Sequence, residues 1–169
     1  MHTLTSQIHQ PPVAATWQRV VALLERIPHG AIALIGRVSI AATFWMSGQT
    51  KIEGLVVDPI AGTVELGWPR VTAEAIELFA SEYTLPVIAP APAATLAAIA
   101  EHVFPLLLLV GLATRLSAIA LLVMTLVIQI FVYPAAFATH GVWASVLLDL
   151  IARGPGMLSL DHLIASRLR

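Results

Sequence analysis

Glu101 and His102 stand side by side within an apolar run from Ala89 to Ala113. A run of that length can cross a bilayer, and ionisable groups at such depth are costly enough that they normally face protein, water or a ligand. A carboxyl group beside an imidazole suits the passing of protons to or from a reducible ligand. Being adjacent on a helix, the two side chains diverge by about 100° and cannot both point along one radius. Pro105 removes the N–H that the Glu101 carbonyl would accept, leaving a free acceptor and a tendency to kink. The same residues also admit a structural reading, in which a protonated Glu101 bonds Gln129 across helices and fastens them.

Helical spacing groups further polar residues into stripes. Arg37, Ala41, Trp45 and Gly48 share one face; Thr125, Gln129 and Tyr133 follow one another at i, i+4 steps, as do Ser145, Asp149 and Arg153. At 1.5 Å per residue, Glu101 and Gln129 lie about 20 Å from the end of the bundle that holds the termini, and Trp45 about 22 Å. These depths predict a pocket in the opposite half, with Glu101 and His102 moving protons and Trp45, Thr125, Gln129 and Tyr133 shaping the walls. Arg37 at about 10 Å and Asp149 at about 6 Å are expected to form an ion pair that locks the first span to the fourth. A metal site of Glu101, His102 and His140 is a weaker alternative, and none is assigned. Haem ligation is disfavoured because His102 is the only deep histidine. No serine triad, phosphate loop or zinc-protease motif is present.

The elements that must carry these groups are membrane helices. Of 169 residues 58% are hydrophobic and 11% charged, with a mean hydropathy of +0.86, against about a quarter charged in soluble domains. The apolar residues fall into spans of bilayer length, predicted at 31–50, 89–113, 116–137 and 139–152, the last short for a full crossing. The expected fold is a single all-α membrane domain, a four-helix bundle. Short interfacial helices are predicted before the first span (Trp17 to Ile27 within the segment 1–29), in the acidic loop 51–88 (Arg70 to Tyr83) and in the tail 153–169. The amino-terminal segment has no apolar core and does not read as a cleavable signal. Arg19, Arg26, Arg115, Arg153, Arg167 and Arg169 all fall on one side of the spans, which places both termini in the cytoplasm and the acidic loop outside. With no cysteine, thiolate and cysteine-ligated cluster chemistry is excluded, and the scattered basic residues offer nothing to nucleic acid.

At these residues the chain resembles the DoxX family of small four-helix bacterial membrane proteins. The matching pieces are Arg37, the run Gly48-Gln-Thr-Lys51, Glu101 followed by Pro105 to Gly111 and Arg115, and the closing Arg153-Gly-Pro-Gly156 to Asp161. The resemblance spans roughly Ala31 to Leu163. It implies an inner-membrane protein; some relatives resemble the small membrane subunit of a thiosulfate:quinone oxidoreductase, and others are associated with oxidative-stress complexes. The segment Leu78 to Pro86 looks like a feature of one branch that accompanies metal-stress or peptide-modification systems. Two functions are expected on this basis. In the first, the chain is the quinone-binding membrane subunit of an oxidoreductase, with no covalently bound cofactor and a partner protein that carries the electron-transfer group. In the second, it is a non-enzymatic scaffold or metal or solute transport helper whose buried polar residues are structural. A homo-oligomer is expected from the small-residue stripe Ala94, Ala98.

Overall fold

The computed structural model describes residues 12–58 and 61–168. Residues 1–11 of the predicted amino-terminal segment and Arg169 of the arginine set lie outside the described residues. Helix α1 (Pro12–Leu24) leads into α2 (His29–Gln49), which starts directly after Pro28 at φ −71°. A hairpin of β1 (Ile52–Asp58) and β2 (Thr63–Val71) comes next, then α3 (Ala73–Ser81), α4 (Pro90–Val110) and α5 (Thr114–Val127). Helix α6 (Phe137–Arg153) and the short α7 (Leu160–Arg167) complete the chain. Four segments are long and apolar enough to cross a membrane: His29–Gln49, Pro90–Val110, Thr114–Val132 and Pro134–Arg153. They close into a ring, α2 packing on α4 and α6, and α5 on the same two. The fourth reaches 20 residues because the 3₁₀ turn Pro134–Ala136 runs straight into α6.

The outward faces carry Ile35, Ile99, Leu116, Val123 and Val142, all exposed, while the core holds Ile40, Phe44, Leu108, Leu121, Leu147 and Leu150. An apolar belt around an apolar core, with polar groups drawn inward, is the pattern of helices solvated by lipid. Arg37 and Glu101 obey it, at 0% and 3% exposure. Ala94 and Ala98, the stripe predicted to serve an oligomer, are buried within the chain itself.

The expectation of an all-α chain is corrected by the hairpin. Its strands pair antiparallel from Ile52↔Val71 to Asp58↔Thr63, with a bulge between Glu53 and Leu55. β-Branched and aromatic residues at Val56, Val57, Val64, Trp68 and Val71 favour a pleated surface, and Asp58 accepts from the Ala61 N–H to start the turn. The acidic charges of this loop had masked that composition. Beyond it, Thr72 caps α3 by accepting from the Ala75 N–H at 3.1 Å, and α3 buries Ala75 and Phe79 as its amphipathic spacing predicts.

Arg37 does not pair with Asp149. Its guanidinium donates to the carbonyls of Leu108 (3.3 Å), Leu109 (3.5 Å) and Leu158. The first two belong to the last turn of α4, where carbonyls lack an i+4 partner and the macrodipole is negative; Leu108 also accepts from the Gly111 N–H at 3.1 Å, and α4 has no basic residue of its own there. A planar fork of five donors serves several such acceptors at once, which a single carboxylate would not need. Gly111, at φ +70°, ends α4, and a Cβ there would run into the Arg37 guanidinium. Asp149 is instead bound by Arg153, one helical turn away at 3.2 Å, and lies 3.8 Å from His29. Arg115 repeats the capping device, donating to the Ile151 carbonyl near the end of α6.

Asp161 fastens the tail to the bundle by accepting from the N–H groups of Ala113 (2.8 Å) and Thr114 (2.9 Å) at the start of α5. Replacing it with alanine removes an N-terminal cap, and we expect a loss of about 1 to 2 kcal/mol. Thermal unfolding in detergent measures this; a midpoint equal to that of the parent protein would refute the capping role.

Candidate functional site

At the hairpin end of the bundle, α2, α4, α5 and α6 part to enclose a cavity of about 470 Å³, which Phe79 of α3 and Tyr83 just beyond it also line. Its walls are mostly apolar, and the volume lies within the range of small-molecule sites. Among the lining residues are Thr43, Ser47, Lys51, Tyr83, Glu101, Tyr133, His140 and Trp143.

Glu101 meets Lys51 at 2.8 Å, with both side chains under a tenth exposed. Ser47 sits between them, donating its hydroxyl to Glu101 Oε1 at 3.1 Å. Lys51 Nζ donates to the Ser47 carbonyl and to Ser47 Oγ, each at 3.0 Å. The three protons of the ammonium group are thereby matched by three acceptors. Sequence reasoning missed this cluster, because a lysine at the end of a span reads as an interfacial charge. The available signal was spacing: Lys51 comes four residues after Ser47 and so shares its face. Close approach of the helices completes the arrangement. Gly48 is buried against α4, and a Cβ there would come within 2.7 Å of the His102 ring and 3.0 Å of Glu101 Cβ.

His102 diverges from Glu101 as adjacency requires, and the structure places it outside the cavity lining. Its Nδ1 lies 2.6 Å from the Ala98 carbonyl and its Nε2 2.9 Å from Gln49 Nε2. A carbonyl only accepts, so Nδ1 carries the proton and Nε2 accepts from the Gln49 amide. Gln49 Oε1 in turn accepts from the Val57 N–H at 2.7 Å. Trp45 packs edge-on against His102 at 4.9 Å and donates its indole N–H to the Val57 carbonyl at 2.9 Å. His102, Gln49 and Trp45 therefore hold the hairpin to the bundle.

The stripe Thr125, Gln129, Tyr133 does not stay on one face. After Val127 the helix widens into a π turn, Ile128–Val132, closed by the Tyr133 N–H on the Ile128 carbonyl, and Pro134 then ends it. The extra residue in that turn rotates the chain beyond it about the helix axis. Thr125 stays in the core, bonded to the Leu121 carbonyl. Gln129 donates to the Pro134 carbonyl and accepts from His140 Nδ1, both at 2.7 Å. Tyr133 reaches the cavity mouth, donating to Glu82 at 2.7 Å and accepting from Tyr83 at 3.0 Å. Those two neighbours hold the Tyr133 phenol above its usual range, the Tyr83 bond first, so it stays a neutral donor. Of the residues proposed from sequence, Glu101 and Tyr133 line the cavity; Trp45, His102, Thr125 and Gln129 support it from outside. Among the described residues no three histidine, aspartate or glutamate side chains are placed to hold a metal ion.

The sequence profile of the DoxX family matches residues 32–134, which takes in the hairpin, the lining of α2 and α4, and the π turn. No curated protein and no solved structure matches the chain.

Proposed function

As the chain belongs to the DoxX family of membrane proteins, we propose that it is a quinone-interacting, redox-linked membrane subunit whose ligand occupies the cavity beside Glu101. The observation that carries this reading is a buried carboxylate, held by Lys51 and Ser47, on the wall of a mostly apolar chamber between membrane helices. Apolar walls suit a lipid-soluble ring, and a carboxyl group that can gain or lose a proton suits chemistry in which reduction brings protons with it. The chain has no cysteine and no cofactor motif, so electrons come from a partner protein that holds the electron-transfer group. The arginine distribution supports an orientation with both termini cytoplasmic, and the family resemblance a bacterial inner membrane, with α1 and α7 lying in the interface.

The saturation of Lys51 and His102 by protein partners favours a second reading, in which the chain is a scaffold or transport helper and these groups only join helices. Binding separates the two. Protein in lipid nanodiscs, titrated with decylubiquinone and corrected for partition into empty discs, is expected to bind the quinone. Ala97→Phe adds bulk to the cavity wall one helical turn from Glu101 and is expected to weaken binding at least about tenfold in a variant that still unfolds cooperatively. Absence of binding to the parent protein would leave the scaffold reading standing.

A further inference from the structure

His140 forms part of the cavity wall and is 5% exposed. Its tautomer is set by a chain of constraints. Gln129 Nε2 donates to the Pro134 carbonyl, so Gln129 Oε1 is the atom that faces the ring, and His140 Nδ1 must be the donor to it. In the neutral imidazole the lone pair then resides on Nε2, which has no hydrogen-bond partner among the described residues.

The other lining groups have given up their donors. The Thr43 hydroxyl goes to the Ser39 carbonyl, the Ser47 hydroxyl to Glu101, and the Lys51 protons to Ser47 and Glu101. Because Tyr133 gives its proton to Glu82, Tyr83 must give its own to Tyr133. The lining donor left over is the indole N–H of Trp143, whose ring tilts against His140 at 5.1 Å. The chamber is thus rich in acceptors and poor in donors. A ligand carbonyl would meet the His140 lone pair with one of its own. A hydroxyl gives one bond and takes one, and so satisfies both His140 and Trp143.

Resting on the quinone reading above, we propose that the cavity is selective for the hydroxyl-bearing, reduced form of its ligand, a hydroquinone, and that His140 Nε2 is the group that accepts the ligand hydroxyl. His140 is then a specificity-determining binding residue, and Gln129 a positioning residue that fixes its tautomer.

The test compares three probes on the full-length protein in nanodiscs, with partition into empty discs subtracted: decylubiquinol under anaerobic conditions, decylubiquinone, and the dimethyl ether of the quinol, which has the same ring and no donor. The quinol is expected to bind about tenfold or more tightly than either of the others. His140→Asn keeps a donor at the Nδ1 position for Gln129 and leaves nothing at the Nε2 position, its own oxygen falling where Cδ2 stood, and it is expected to bring the three probes within about threefold. Equal binding of quinol and quinone would overturn the donor preference while leaving the quinone reading intact; failure of every probe to bind would overturn both. A preference that survives His140→Asn would remove His140 from the site. If that variant does not fold, quinol against dimethyl ether on the parent protein still decides.

Discussion

Replacing Lys51 with methionine is expected to destabilise the protein by about 3 to 5 kcal/mol, the cost of leaving a buried charge without its partner. Glu101 sits inside a helix at 3% exposure, so without Lys51 it either loses its charge or stays uncompensated. Glu101→Leu is expected to cost less, about 1 to 3 kcal/mol, because the four-carbon stem of Lys51 lies beyond the end of α2 and can carry its ammonium outward. The double variant Lys51→Met, Glu101→Leu removes both charges and is expected to be no worse than Glu101→Leu alone. Denaturant unfolding in mixed micelles gives all three values. Additive losses in the double variant would mean that the two groups do not interact, and the 2.8 Å contact would lose its significance.

Arg37→Met should rank beside it, at about 3 kcal/mol or more. The substitution keeps an apolar stem in the core but strands the carbonyls of Leu109 and Leu158 and leaves that of Leu108 with the Gly111 N–H alone. A second readout distinguishes this role from a salt bridge. Leu158 lies next to Ser159, the N-cap of α7, so loss of Arg37 should speed proteolysis and amide exchange across residues 157–168, whereas Asp149→Asn should leave that segment protected. Equal protection of the tail in the Arg37 variant would contradict the capping assignment.

The four spans could be read from the chain because an apolar run of 20 residues has few other uses, and the shelter given to Arg37 and Glu101 came from the cost of exposing them to lipid. Their partners could not be read in the same way. Arg37 binds backbone carbonyls, which every residue possesses and no sequence advertises; a carboxylate at similar depth was the only visible counter-charge, and Asp149 is in fact held by Arg153 on its own helix. Depth counting gave the correct half of the bundle for Glu101 and Tyr133. It failed for the stripe as a whole because one π turn breaks the 3.6-residue period between Thr125 and Tyr133, and no residue type marks such a turn in advance. The hairpin was hidden for a different reason: its ladder has strand composition, but acidic residues within and around it drew the reading toward a solvated loop. His140 looked like a residue near a span end. Only the turn at Pro134, which folds Gln129 back toward it, makes it part of the wall.

The bond from Arg37 to Leu108 joins residues 71 positions apart. During synthesis the first span therefore leaves the ribosome long before the carbonyls that satisfy its guanidinium exist, and an arginine within a lone membrane helix carries an insertion cost of about 2.5 to 3.5 kcal/mol. Insertion of α2 alone is therefore expected to be less favourable than insertion of its pair with α4. A nascent chain arrested before Leu108 should remain extractable, and one arrested after α7 should not.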